Sequence, residues 1–343
     1  MGRKISFADA IREALDLKMN QNPNVILMGE DVAGGAEVDH LQDDEAWGGV
    51  LGVTKGLVQK YGRNRVLDTP ISESALIGSA VSAASTGLRP VAELMFNDFM
   101  GVCFDQLLNQ GAKFRYMFGG RVKTPVTIRT THGAGFRAAA QHSQSLYSMF
   151  TSVPGLKVIV PSTPADAKGL LLTAIDDDDP VIFFEDKTLY NIKGEVPGGE
   201  VKIPLGEADI KRSGSDLTIV GIGKQVHTAL KAADQLSKHG IEAEVVDPRS
   251  LSPLDSTTIL KSVEKTSRLI IVDESNPRCN VATDLAAMVA DQGFDFLDAP
   301  IKRVTAPHTP VPFSPTLEDC YLPSPEKIIA AVEEIVGDSL TTA

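Results

Sequence analysis

Glu73 is the leading candidate in this sequence for a residue whose type and position could support catalysis. It follows Thr69-Pro70, where a short apolar run gives way to a stretch of Ala, Ser, Gly and small aliphatic residues. A carboxylate at such a strand-to-helix turn either takes part in proton transfer or stabilises the positive end of the helix dipole. On position alone the sequence favours the helix-capping role.

His142 is a second candidate, because it lies among small residues after the Gly-rich segment Thr131 to Phe136. A histidine in a polar loop can move protons near neutral pH. An equally good interpretation is a structural histidine whose ring is hydrogen-bonded by Gln141 or Ser143. The sequence leaves both interpretations open.

A run of acids, Asp176 to Asp179, follows the helix predicted to begin at Thr163-Pro164. Such runs are usually solvated loops, but this one falls at a helix C-terminus, where the dipole already disfavours anions. A bound cation, held by carbonyl and carboxylate oxygens, would relieve the repulsion.

Gly221 and Gly223 follow an apolar run and precede a predicted helix, with Asp247 at the end of the next run. A dinucleotide-binding fingerprint begins this way. The third glycine position is however occupied by Val226, where close packing of helix on strand requires no side chain. A tight turn without a ligand is therefore favoured.

The composition excludes several classes of protein. The 343 residues are 43% hydrophobic and 23% charged, and the net charge of -12 argues against a nucleic-acid partner. The sequence has no apolar run long enough to span a membrane and no signal-peptide apolar region, so we expect a cytoplasmic protein. Cys103, Cys279 and Cys320 are far apart and never form a CxxC pair, which fits a reducing compartment. P-loop, GxSxG, HExxH and metal-spaced His/Cys patterns are absent from the sequence.

The elements that would position these residues follow an alternating pattern. Short apolar runs in the first half are separated mostly by helical patterns, which predicts a mostly parallel sheet with helices on both faces. These predicted strands are Asn24 to Val32, Arg65 to Asp68, Arg89 to Met95, Thr124 to Thr130, Leu156 to Pro161 and Pro180 to Asp186.

A second α/β unit is predicted after a segment rich in Gly, Pro and charge. Its strands are Asp216 to Gly223, Ile241 to Pro248 and Arg268 to Ser275, and its last helix is Pro325 to Val336. The sequence thus predicts domains at residues 1–192 and 215–343, joined by a linker at 193–214 that has room for one hairpin.

With these residues in place, the chain closely resembles the beta subunit of the thiamine-diphosphate-dependent first component of 2-oxo acid dehydrogenase complexes. The resemblance covers nearly the full length and implies a transketolase-like pyrimidine-binding domain followed by a transketolase C-terminal α/β domain. The motifs that carry it are GED (Gly29 to Asp31), DTPISE (Asp68 to Glu73), GLRPVAE (Gly87 to Glu93), AAQHSQ (Ala139 to Gln144), PGLKVIVPSTPADAKGL (Pro154 to Leu170) and VVDPRSLSPLD (Val245 to Asp255).

The resemblance implies roles for the site residues and reverses the preference at Glu73. A glutamate at this place hydrogen-bonds N1′ of the aminopyrimidine and promotes the imino tautomer, which deprotonates the thiazolium C2. Phe99 is expected to stack on the pyrimidine, with Ile71 and Met95 nearby, and His142 to handle protons at the reacting carbon. The family's potassium site maps onto Val126, Ala174, Ile175, Asp177 and Asp179.

One family motif is missing from this sequence. The diphosphate and magnesium motif, GDG followed downstream by NN, does not occur. The resemblance therefore implies that a separate alpha subunit binds magnesium and the charged tail of thiamine diphosphate. It implies an α2β2 heterotetramer with each active site between subunits.

Three further segments narrow the choice of substrate. They look most like the acetoin dehydrogenase branch of the family and are His40 to Leu57, Glu93 to Gly120 and Arg129 to Tyr147. Pyruvate would lose carbon dioxide and acetoin would lose acetaldehyde, and both would leave a hydroxyethyl intermediate. A lipoyl group on the acetyltransferase second component then accepts the acetyl unit. A pyruvate or other 2-oxo acid dehydrogenase subunit is the closest alternative, ahead of an NAD-dependent oxidoreductase or a non-catalytic assembly subunit.

Overall fold

The structure is a computed structural model that describes residues 3–34 and 46–336. Part of one segment used above to assign the substrate, residues 40–45, lies outside the described residues. The chain forms two compact units. The first comprises Met1–His132 and Phe150–Leu205, and the second comprises Gly133–Met149 and Gly206–Ala343.

The first unit alternates strands and helices, as the apolar runs predict. In chain order its elements are β1 (Arg3–Ser6), α1 (Phe7–Gln21), β2 (Val25–Gly29), α2 (Leu57–Tyr61), β3 (Val66–Asp68), α3 (Glu73–Ser85), β4 (Arg89–Phe96), α4 (Phe114–Met117), β5 (Thr127–His132), α5 (Ser148–Thr151, across the boundary of the units), β6 (Lys157–Ile159), α6 (Pro164–Asp176), β7 (Val181–Asp186) and β8 (Lys193–Val196).

The main sheet of this unit is parallel. Its strands lie in the order β6-β7-β5-β4-β2-β3, and each neighbouring pair is parallel. Strands β2, β5 and β7 are buried along their whole length. Burial on both faces explains why β2 and β7 appear in the sequence as largely apolar runs rather than alternating ones. The predicted strands of the first half are confirmed.

Helix α1 begins with a side-chain cap. The Ser6 side chain accepts a hydrogen bond from the Asp9 backbone N–H at 3.1 Å, which caps the helix. The helix buries Phe7, Ile11 and Leu15 in a core shared with α6 and the sheet. Within the described residues, no helix is both long enough and apolar enough to cross a membrane.

The second unit is also α/β. In chain order its elements are β9 (Asp209–Arg212), β10 (Leu217–Gly221), α7 (Gln225–Leu236), β11 (Ala243–Asp247), β12 (Ser250–Ser252), α8 (Ser256–Thr266), β13 (Leu269–Asp273), α9 (Val281–Gln292), β14 (Lys302–Thr305), α10 (Pro315–Tyr321) and α11 (Pro325–Val336).

Strands of this unit form a sheet in the order β14-β13-β10-β11-β9, with only β9 antiparallel to its neighbour. The predicted strands of the second half are confirmed, and α11 has the limits that the sequence predicts. Strand β14 was not predicted, because only its third residue is buried and it carries no apolar run.

The predicted hairpin in the segment between the two halves is wrong. Strand β8 pairs antiparallel with β1, and β9 pairs antiparallel with β11, so the two strands of this segment have different partners. Both pairings join residues far apart in the chain, which local composition cannot indicate. The domain limits 1–192 and 215–343 stay a prediction.

Candidate active site

A cleft opens at the edge of the first unit where parallel strands end. It is lined by residues that follow β2 and β3 and by the last residues of β4. It holds about 280 Å³ of space, part of it open to solvent. Carboxyl ends of parallel strands are the usual ligand site of such sheets. This cleft is therefore the candidate ligand site of the first unit.

Glu73 stands in this cleft as the first residue of α3. The N-cap residue, Ser72, makes no side-chain capping bond. Within residues 3–34 and 46–336, no group donates a hydrogen bond to the Glu73 carboxylate. Since a capping carboxylate accepts first-turn N–H groups, this one is available to a ligand instead.

Apolar side chains form the walls around that carboxylate. Ile71, Met95 and Phe99 line the same cleft, as the sequence predicts for residues that hold a pyrimidine ring. Phe99 is fixed by an edge-on contact with Phe96, whose ring centroid lies 5.9 Å away at an angle of 84°. Ile71 is 77% exposed, which leaves an apolar side chain at the mouth.

The cleft has a second acid that the sequence interpretation missed. Glu30, directly after β2, lines the cleft with Glu73. Burial raises the pKa of the Glu30 carboxyl above its ordinary value, and the charges of Asp31 and Glu73 raise it further. The Glu30 carboxyl therefore gives up its proton less readily than an isolated glutamate does. The GED motif contained this residue, but its position opposite Glu73 depends on the strand order.

One further feature suits the cleft to a bound ligand. The Thr69 hydroxyl is buried and has no hydrogen-bond partner among the residues described, although it lines the cleft. A free carboxylate and an unpartnered hydroxyl within apolar walls fit a nitrogen heterocycle, which can satisfy both.

The floor of the cleft rests on a buried ion network. Arg129 donates to Glu93 Oε2 at 2.6 Å and to Glu185 Oε1 and Oε2 at 2.7 and 2.8 Å. Tyr190 donates to Glu185 Oε2 at 2.5 Å. Glu93 borders the cleft, and burial raises its pKa despite the Arg129 charge. This network fixes the end of β4 beneath the site.

Gly29 allows β2 and β4 to meet closely at this edge. A Cβ atom added there would lie 2.8 Å from the Glu93 carbonyl oxygen, which is backbone and cannot move aside. The glycine of the GED motif therefore has a packing requirement next to the cleft.

His142 lies in the second unit, in the loop Gly133–Met149 that follows β5. The loop contains Arg137 and Ala139 at a φ of 61° each, a backbone region that side chains rarely adopt. His142 is half-buried, and its backbone N–H faces the Ala139 carbonyl oxygen at 3.5 Å. The assignments of Glu73 and His142 as catalytic residues stay predictions.

The acid run after α6 is neutralised by the protein itself. Each of its carboxylates lies within 2.7 Å of a lysine or arginine nitrogen. The cations of this network are Lys18, Arg89, Arg115, Lys123, Lys157 and Lys202. Repulsion within the run is therefore no argument for a bound metal ion.

The carbonyl groups predicted to hold potassium are engaged by donors of the chain. Arg89 donates to the Ile175 and Asp177 carbonyls at 3.1 and 3.0 Å. The Ala174 carbonyl accepts the Asp177 N–H, and the Val126 carbonyl accepts the Val181 N–H. Each carbonyl keeps a second lone pair, and the carboxylate of Asp179 pairs with Arg115. In the part of the chain that the structure describes, no group of three or more His, Cys, Asp or Glu side chains is arranged to hold a metal.

The glycine pair of the second unit has a packing explanation. A Cβ atom at Gly221 would lie 2.8 Å from the Val226 backbone nitrogen, so the turn into α7 requires glycine without any ligand. This agrees with the interpretation of Gly221 and Gly223 as a tight turn.

Comparison with known families and structures identifies the class of fold. The sequence matches the transketolase pyrimidine-binding domain over residues 3–193 and the transketolase C-terminal domain over residues 206–328. A solved chain described as a split gene transketolase, inactive beta4 tetramer, is 24% identical with a TM-score of 0.76, and the match covers 98% of each chain. Transketolase from Campylobacter jejuni is 15% identical with a TM-score of 0.66, over 97% of this chain and 47% of that chain. The predicted two-domain transketolase-like fold is confirmed.

Closer relatives narrow this class to one family. Acetoin:2,6-dichlorophenolindophenol oxidoreductase subunit beta of Bacillus subtilis is 71% identical over 98% of this chain and 99% of its own length. The protein of the same description in Cupriavidus necator is 62% identical over 97% and 98%. Pyruvate dehydrogenase E1 component subunit beta of Rickettsia felis is 43% identical over 97% and 98%. The chain belongs to the family of dehydrogenase beta subunits built from transketolase pyrimidine-binding and C-terminal domains.

Proposed function

We propose that this chain is the beta subunit of an acetoin-cleaving, thiamine-diphosphate-dependent dehydrogenase. The observation that carries the proposal is the free Glu73 carboxylate in a cleft walled by Ile71, Met95 and Phe99. The 71% identity to an acetoin oxidoreductase beta subunit supports acetoin as the substrate. Pyruvate dehydrogenase beta subunits are 41–43% identical, which makes pyruvate the second candidate.

Bound thiamine diphosphate supplies the carbon nucleophile that adds to the ketone of the substrate. Glu73 would hold a proton at the ring nitrogen N1′ of the pyrimidine and set its tautomer. Phe99, Met95 and Ile71 would hold the ring and exclude water.

His142 would act on the substrate. When acetoin splits, its hydroxyl oxygen becomes the aldehyde oxygen of acetaldehyde, so a base must take the hydroxyl proton. Pyruvate loses carbon dioxide and has no such proton to remove. With an external two-electron acceptor, one acetoin and one water give acetaldehyde and acetate. With a lipoyl disulfide, the acetyl unit goes to one sulfur and the hydrogen to the other.

An alpha subunit would complete the site in an α2β2 heterotetramer, since the sequence lacks the GDG and NN motif for magnesium and the diphosphate. The exposed small residues on one side of α3, Ala75, Ser79 and Ser82, support close approach of another backbone there. The lipoyl-bearing acetyltransferase partner, the potassium site and the cytoplasmic location expected from the sequence stay predictions.

The experiment combines the purified chain with a matching alpha subunit, magnesium and thiamine diphosphate, and follows reduction of dichlorophenolindophenol. We expect kcat/KM for acetoin to exceed that for pyruvate by more than tenfold. The opposite ranking would replace acetoin by pyruvate as the substrate. Lack of activity on both substrates, with thiamine diphosphate demonstrably bound, would refute both.

A further inference from the structure

The loop that contains His142 is held in the second unit by buried carboxylates that no family motif named above includes. Glu274, directly after β13, is 4% exposed, and Glu318 in α10 is fully buried. The Ala134 N–H donates to Glu274 Oε1 at 2.5 Å, and the Gly135 N–H donates to Glu318 Oε1 at 2.6 Å. The first residues of the loop are thus bonded through their backbone.

Glu274 also contacts the other end of the loop. The Ser145 hydroxyl lies 3.5 Å from Glu274 Oε1, the same oxygen that accepts the Ala134 N–H. The Gly133 N–H donates to the Gln144 carbonyl at 3.1 Å, so the two ends of the loop are also bonded to each other. One carboxylate oxygen therefore joins both ends, with His142 between them.

The remaining bonds of this network hold the acids themselves. Gln225 Nε2 donates to Glu274 Oε2 at 3.2 Å. Tyr147 donates to Asp273 Oδ1, which also accepts the Ser275 N–H at 2.9 Å. Burial raises the pKa of Tyr147 well above its ordinary value, so the phenol keeps the proton that it donates. The loop is thus anchored at residues 134, 135, 145 and 147.

The anchoring opposes strain within the loop. Arg137 and Ala139 are both held at a φ of 61°, which a free loop would relax. Arg137 donates to Glu318 Oε2 at 2.7 Å and to Asp319 Oδ1 at 2.6 Å, which fixes one of the strained residues directly. A strained loop with bonded ends holds its central residues in one conformation.

We infer that Glu274 is a positioning residue that sets the place of His142 by joining both ends of the loop 133–149. This inference rests on the proposed role of His142 in acetoin cleavage. Glu274 acts through the loop and not by contact with substrate or cofactor. The same acid also orders a segment that local sequence would leave as flexible Gly-rich loop.

The test compares Glu274→Ala with Glu274→Gln in the reconstituted complex. Alanine removes the acceptor for Ala134 and Ser145. Glutamine keeps one acceptor oxygen for these two donors. If the Gln225 amide rotates by half a turn, its Oε1, which has no partner in the described part of the chain, can accept from the new N–H₂ group. We expect alanine to lower kcat by at least about tenfold, within the roughly 10²-fold loss that a misplacement of ~1 Å produces. Glutamine should keep kcat within about threefold of wild type, since the bond that aligns the loop remains.

Glu244→Ala is the matched control. Glu244 is a buried carboxylate of the same unit that accepts bonds from Ser262, Lys265 and Gly214 and makes none to the loop. Its loss should lower the melting temperature without the loss of kcat. An equal loss of kcat in the folded Glu244→Ala complex would mean that Glu274 acts only through stability, and would overturn the inference.

Hydrogen exchange separates this inference from the proposed function. In Glu274→Ala we expect the Ala134 amide and its neighbours in 133–149 to exchange faster, while β10 and β11 keep their protection. Unchanged protection of the loop would overturn the positioning role. If His142→Ala kept full activity, the proposed role of His142 would fail, and exchange alone would decide the role of Glu274. If Glu274→Ala does not fold, Tyr147→Phe replaces it as the test. This substitution removes one anchor and keeps the buried ring, and we expect it to speed hydrogen exchange in the loop by a smaller amount.

Discussion

Glu73 and Glu274 occupy similar places in the two units but have opposite surroundings. Each lies at the carboxyl edge of a largely parallel sheet, the first after β3 and the second after β13. Glu73 accepts no hydrogen bond from the described residues, whereas Glu274 accepts from Ala134, Ser145 and Gln225. The two acids are of the same type and differ in their hydrogen-bond donors.

This difference separates a group that can react from a group that holds others in place. A carboxylate with all its acceptor sites filled by protein donors has a fixed geometry, and a proton adds to it only by breaking those bonds. A carboxylate without such donors keeps its lone pairs for a ligand. Removal of Glu274 should therefore change the structure of the loop, and removal of Glu73 should change the chemistry.

The largest effect is expected from Glu73→Gln. The amide cannot exchange a proton with a pyrimidine nitrogen as a carboxyl group does, so kcat should fall by about 10²-fold or more. The melting temperature should stay within about 1 °C because the carboxylate makes no bond with the described protein. Dye reduction on the reconstituted complex measures kcat, and calorimetry on the purified chain without cofactor measures the melting temperature.

Glu326→Gln provides the matched control for that substitution. Glu326 is an exposed acid in the first turn of α11. It does not line the cleft, so it has no role in the proposed reaction. Its activity should equal that of wild type. If Glu73→Gln kept wild-type kcat, the catalytic role proposed for Glu73 would be wrong.

A smaller effect, on stability rather than on the reaction, is expected from Arg129→Met. The substitution leaves Glu185 buried with its main cation removed, which should lower the free energy of unfolding by about 3–5 kcal/mol. Lys60→Met breaks an exposed pair with Asp16 and should lower the free energy of unfolding much less, because exposed ion pairs contribute little to stability. Equal losses in urea unfolding would contradict the distinction between buried, fully bonded acids and surface ones.

The smallest effect is a pH dependence of opposite sign at two glutamates of the first unit. The folded pKa of Glu30 lies above its ordinary value of 4.5, so its contribution to stability is present below pH 4.5 and is lost as pH rises through the folded value. Hydrogen bonds from Lys18 and Gln21 lower the pKa of Glu200 to about 2, so its contribution is present above pH 4.5 and is lost as pH falls towards 2.

Glutamine substitutions reveal these two signs. Glu30→Gln should raise the melting temperature at pH 8 relative to wild type, with little change at pH 4. Glu200→Gln should lower it at pH 8, and the difference from wild type should shrink near pH 3. A lower melting temperature for Glu30→Gln at pH 8 would show that Glu30 has a stabilising partner in the complex.

Elements that depend on local sequence were predictable. The apolar runs at Val25–Gly29 and Val181–Asp186 are buried on both faces, and burial of that kind leaves a continuous pattern in the sequence. The pairings of β1 with β8 and of β9 with β11 left no such pattern, because their partners are distant in the chain and their residues are half-exposed. Register and partner choice are properties of the folded sheet.

The grouping of side chains in the cleft was predictable where one motif contains them, while their roles stay predictions. Ile71 and Glu73 lie within one motif, and the structure brings them together with Met95 and Phe99. Glu30 was missed because its proximity to Glu73 follows from the adjacency of β2 and β3. The cations around the acid run were missed for the same reason, since Lys18 lies 158 residues from Asp176.

The bond between Ala134 and Glu274 joins residues 140 positions apart, and this separation has a consequence for biosynthesis. The ribosome completes β5 and the His142 loop long before it makes β13, so the loop emerges without the acids that anchor it. A chain that stops short of residue 273 would have the residues of the Glu73 cleft and an unanchored loop. The loop can therefore become ordered only after the ribosome has made the acids that anchor it, Glu274 and Glu318.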